Sequence, residues 1–136
     1  MSSPADSRDN CAHLPKLVQP EPIESVHLQQ PSEKSLLNWY ASRYSASRSI
    51  ADDLVTGIAY CEILDSIFPN LINTKSLVRF RPGRDDIVHN LRLLRFALSR
   101  LNITLPYDIS ALASRSSLTV MRMAYWFKVF IEVNQN

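Results

Sequence analysis

The densest chemistry in the chain is a run of cations. Between Lys75 and Arg100 stand Lys75, Arg79, Arg81, Arg84, Arg92, Arg95 and Arg100, opposed only by Asp85 and Asp86, a local excess of +5. The whole chain carries a formal +2, because its first 33 residues set Arg8 and Lys16 against Asp6, Asp9, Glu21, Glu24 and Glu33, for −3. One contiguous segment therefore holds the excess positive charge. Such a segment steers an acidic surface toward itself and anchors it on contact. Arginine suits the anchoring, since its planar fork holds a carboxylate at two points. The ordinary alternative is a solvated charged face, and Arg100, close to the apolar stripe of its helix, fits a structural part.

Other reactive residues do not assemble into a catalytic pattern. Cys61 beside Tyr60 lies in an apolar run, where a thiol is a small core residue more often than a nucleophile. Glu62 and Asp65 are one helical turn apart and read either as a paired acid site or as acceptors for a neighbouring helix. His13, His27 and His89 show no ligand spacing, and no Gly-rich phosphate loop, HExxH or CxxC is present. The expectation is a protein that is not an enzyme, with no cofactor and no metal. Nucleic acid is not the expected partner, because the pI of 8.7 is modest and only Phe80 and Phe96 interleave with the arginines. No run approaches the ~20 apolar residues of a membrane span, and no signal-peptide core appears. Cys11 and Cys61 have nothing to staple, which suits a reduced, intracellular chain and leaves the sequon at Asn102-Ile103-Thr104 silent.

The elements that position the basic run follow from periodicity. With 136 residues and 46% apolar content the chain supports one core. Five of its eight prolines lie in the first 31 residues, so 1–32 is expected to be a flexible, disordered Pro-rich tail. Leu14, Leu17, Val18, Ile23 and Val26 are the residues by which it could dock. A domain is expected over 33–134. Ser32-Glu33 starts a first helix with Leu36, Leu37, Tyr40 and Tyr44 on one side, and the Ser/Arg-rich 42–49 stretch, which would also suit a kinase, ends it. Asp52 and Asp53 open a second helix expected to run to Phe68 before Pro69, with Gly57 marking a close helix crossing. After a loop through Pro82-Gly83, Asp85 and Asp86 start a third helix whose stripe is Ile87, Leu91, Leu94, Leu98 and Leu101. Arg92, Arg95 and Ser99, with His89 a turn earlier, fall on its other side. Asp108 caps a short helix through Ala113, and Ser116 or Ser117 begins a last helix to Val133. Trp39, Trp126 and Phe130 are read as core. No strand pattern appears, so the class is all-α, with four main helices and short connecting ones.

Four stretches resemble one family. Gly57 to Pro69 looks like the pattern of small residues, Tyr-Cys, an apolar helix and a closing Phe-Pro found in the end-binding, plus-end-tracking proteins. Leu36-Leu37-Asn38-Trp39 resembles that family's Leu-x-x-Trp, Asn90-Leu91-Arg92-Leu93-Leu94 its Asn-Phe-Lys-Ile-Leu, and Trp126-Phe127-Lys128-Val129-Phe130 its Trp-Phe-Lys-Lys-Phe. The resemblance implies a calponin-homology domain that binds the acidic microtubule lattice, so tubulin is the implied partner and the cytoplasmic cytoskeleton, spindle or flagellar axoneme the implied location. Family contacts map onto Lys75, Arg79 and Arg81, with Arg84, Arg92 and Arg95 standing in where the chain has Ser76 and Ser99 in place of family lysines. Family members dimerise through a coiled coil. No heptad seam occurs here, so a monomer is expected. Actin-binding and ciliary or flagellar calponin-homology modules share the fold and are the competing readings.

Overall fold

The computed structural model describes residues 16–23, 32–46 and 49–135. Among them every regular element is helical: α1 (Glu33–Ala41), α2 (Ile50–Thr56), α3 (Ile58–Ile67), a 3-10 turn (Thr74–Ser76), α4 (Arg84–Arg100), α5 (Ile109–Ala113) and α6 (Ser117–Gln135).

The caps show why the helices start where they do. Ser32 accepts from the Ser35 amide, and Asp108 accepts from the Ala111 amide, so α1 and α5 begin as their sequences indicate. For α2 the cap is Ser49, whose hydroxyl accepts from the Asp52 amide at 3.1 Å. Asp52 and Asp53 thus lie in its first turn rather than at its start. The single helix expected to Phe68 is two helices. Gly57, at φ 87°, sits in the left-handed region, ends α2 and starts α3. The close crossing read at Gly57 is also present, since a Cβ there would lie 3.0 Å from a Leu91 side-chain carbon.

One core holds these elements together. Leu36 and Tyr40 of α1, Tyr60, Ile63 and Leu64 of α3, Ile87, Leu91, Leu94 and Leu98 of α4, and Trp126, Phe127 and Phe130 of α6 are all buried. The Trp126 and Phe130 rings stack at 5.8 Å, and Tyr60 meets Phe127 edge-on at 5.0 Å. The buried Tyr40 hydroxyl donates to the Ala124 carbonyl at 2.7 Å. Trp39 departs from the expected core. It is half-buried at the rim, where the Arg43 guanidinium lies 4.7 Å and the Lys128 ammonium 5.8 Å from its ring centroid. On α6, Leu118, Val129 and Val133 are exposed despite the helix's broadly apolar sequence.

Part of the expected flexible tail is instead docked. Pro20 is buried, and its carbonyl accepts from the Trp126 indole N–H at 3.2 Å. Gln19 exchanges two hydrogen bonds with the Thr104 backbone, Val18 does so with the Asn134 amide, and Ile23 with the Tyr107 hydroxyl. Leu17 and Ile23 pack against the core. Backbone groups that composition assigned to solvent have found protein partners. Cys11, Leu14, Val26, His13 and His27 lie outside the described residues.

Candidate functional site

The basic loop is tied to the basic helix by one buried amide. Asn90 falls on the inner face of α4, three residues after Ile87, and is fully buried. Its Oδ1 accepts from the Val78 amide at 2.8 Å, while its Nδ2 donates to the Val78 carbonyl at 3.0 Å and the Thr56 carbonyl at 3.2 Å. One side chain therefore satisfies the loop on both sides of Val78 and caps the end of α2. A second tie comes from His89, whose Nε2 lies 2.9 Å from the Ser76 carbonyl. That oxygen only accepts, so the hydrogen is on Nε2. The turn bearing Lys75 is thereby held one helical turn before Arg92.

The six expected contact residues occupy two neighbouring regions. Lys75, Arg92 and Arg95 are exposed, on the 3-10 turn and the outer face of α4, and Arg84 is exposed in that helix's first turn. Arg95 also borders a hollow of about 340 Å³ with Ser99 and the 102–105 loop. Arg79 and Arg81 line a different hollow, of about 330 Å³, together with Asp52, Asp53 and Arg115. Arg81 is held at φ 50°, a left-handed backbone that a side chain normally avoids, with its guanidinium 5.5 Å from the Phe80 ring centroid.

Arg79 is already engaged. It pairs with Glu62 of α3 and donates to the Thr74 carbonyl at 3.4 Å, with both charged side chains only about one-third exposed (38% and 30%). Glu62 thus serves as an acceptor, for a loop arginine rather than for a neighbouring helix. Cys61 is fully buried, and burial, reinforced by the Glu62 charge, pushes its thiol up to about 12. A thiol so placed is protonated and unreactive at neutral pH. Among the described residues no three His, Cys, Asp or Glu side chains cluster so as to hold a metal. No helix among them is long and apolar enough to cross a membrane.

The roles of two residues of the site escaped the sequence. Asn90 gave a faint signal, a polar residue on the buried stripe at helical spacing. Arg115 gave none: it follows α5, far along the chain, and reaches the hollow by donating to the Pro82 carbonyl at 3.3 Å.

No family model matches the chain. It is similar to the microtubule-associated protein RP/EB family member 1A of Arabidopsis thaliana, 24% identical over 97 residues, which cover 71% of this chain and 35% of that protein. It is also similar to end-binding protein 1 of Giardia intestinalis, 25% identical over 100 residues, covering 74% of this chain and 42% of that protein. The chain thus spans well under half the length of these curated relatives. Its all-α fold is a calponin-homology fold.

Proposed function

We propose that the chain is a microtubule-binding calponin-homology module, docking on the acidic tubulin lattice through the 74–84 loop and the outer face of α4. The observation that carries this reading is the Asn90 clamp. It fixes a cationic loop against a cationic helix without using any cation to do so. Two relatives whose names mark them as end-binding or microtubule-associated support it. Lys75, Arg79, Arg81, Arg84, Arg92 and Arg95 are the proposed contacts, with Arg79 the least available because it also serves Glu62. Plus-end tracking and residence on the cytoplasmic microtubule cytoskeleton follow as parts of the same proposal. The work of binding is electrostatic steering followed by charge-assisted hydrogen bonds to carboxylates.

The test is co-sedimentation of the chain with taxol-stabilised microtubules and, in parallel, with filamentous actin. Pelleting with microtubules alone is expected, and it should be lost in the double variant Lys75→Glu with Arg92→Glu while the helical circular-dichroism signal persists. Pelleting with actin alone would move the chain to the actin-binding branch of the fold.

A further inference from the structure

The exposed stripe of α4 runs through Asp85, His89, Arg92, Phe96 and Ser99, flanked by Arg95 and by Arg100, which is exposed and not packed into the apolar stripe as its position suggested. All of these are polar or charged except Phe96, which is nonetheless 64% exposed. Phe80, between Arg79 and Arg81 on the adjoining loop, is 79% exposed. A single exposed apolar side chain is unremarkable on a protein surface. Two aromatic rings inside the most cationic stretch of the chain are a different matter, since aromatic and arginine side chains together are what interface centres concentrate. Phe96 is the better placed of the two: it sits mid-helix on a rigid element, one turn beyond Arg92 and one turn before Arg100.

We propose that Phe96 is the apolar anchor of the tubulin-facing surface, seated in an apolar recess of that acidic partner while Arg92, Arg95 and Arg100 hold the carboxylates around it. This rests on the microtubule reading above and adds a contact that charge alone does not supply. Charge complementarity selects the occupant, because a partner facing three arginines around one ring must present acids around an apolar patch. A nucleic acid would stack bases on the same ring. Its continuous phosphate backbone, however, would meet Asp85 and Asp86 at the start of the helix, whereas separate carboxylates need not.

The experiment measures the binding curve of the full chain on taxol-stabilised microtubules at low and moderate salt, with circular-dichroism melting alongside. Phe96→Ala is expected to weaken binding about tenfold at both salt concentrations, leaving the salt slope and the melting temperature as in the wild type. Phe96→Leu should retain most of the affinity. The pair Arg92→Ala with Arg95→Ala should weaken binding and also flatten the salt slope. If the wild type binds while Phe96→Ala matches it, the anchor is wrong and the microtubule reading stands. A melting temperature that falls together with affinity would assign Phe96 to folding and overturn the anchor. A wild type that does not pellet overturns both ideas, and tight single-stranded oligonucleotide binding lost in Phe96→Ala would overturn the choice of partner.

Discussion

Asn90 and Gly57 show what single residues contribute to this fold. Replacing Asn90 by alanine leaves the half-buried Val78 amide and carbonyl and the Thr56 carbonyl without their Asn90 partner, at a cost of roughly 1–3 kcal/mol. Asn90→Ala is therefore expected to lower the urea midpoint and also to weaken microtubule pelleting, because the loop carrying Lys75 is released. Wild-type affinity in a destabilised Asn90→Ala protein would separate the clamp from function. Gly57→Ala forces a side chain into a left-handed backbone and toward Leu91, and should cost about 1–2 kcal/mol by urea denaturation. The sequence made Gly57 legible as a place where something unusual happens, but not which thing. A continuous apolar run offers no sign that the chain turns left-handed for one residue. Asn90 was visible as part of a motif, yet its partners lie 12 and 34 residues away, beyond what helical spacing reveals.

At the scale of elements, the helices themselves were the readable part. The 4-3-4-3 apolar stripe of α4 and the cap residues Ser32 and Asp108 each act through neighbours within a turn, so local pattern suffices. The 16–23 strap was not readable, since its hydrogen bonds reach 84 to 116 residues along the chain and its proline content is that of a solvated linker. Pro20 is useful there for the opposite reason: it has no N–H to satisfy, and its carbonyl goes to Trp126. Removing residues 1–24 deletes the packing of Leu17 and Ile23 and uncovers the core surface beneath them and the Trp126 indole edge. We expect a loss of about 2 kcal/mol, a melting temperature lower by on the order of 8 °C, and red-shifted tryptophan emission. An unchanged melting curve would show that the strap lies on the domain without stabilising it.

The whole molecule separates its electrostatics into a cationic surface over residues 75–100 and buried groups that resist ionisation, and the second half of that division has a consequence in alkaline solution. Tyr40, Tyr44 and Tyr60 are all raised above the ordinary phenol value chiefly by burial, Tyr44 also by its hydrogen bond to Asp53, and the Cys61 thiol is raised to about 12. For each of these groups the folded state keeps its proton at a pH where the unfolded chain has released it. The unfolded state then binds fewer protons, and stability falls as pH rises. The fall begins for Cys61 near its unfolded value of about 8.5, is joined by the tyrosines above about 10, and reaches ~1.4 kcal/mol per pH unit for each fully engaged group. The unfolding free energy from urea denaturation should therefore be level around neutral pH and clearly lower at pH 10, by about 2 kcal/mol from Cys61 alone. Cys61→Ala should remove that first part of the decline while keeping the part due to tyrosine, and in the wild type a thiol reagent should reach Cys61 only on unfolding. A wild-type midpoint unchanged up to pH 10 would mean that Cys61 ionises as readily in the folded protein as in the open chain, and the burial of α3 against α4 at that position would have to be reconsidered.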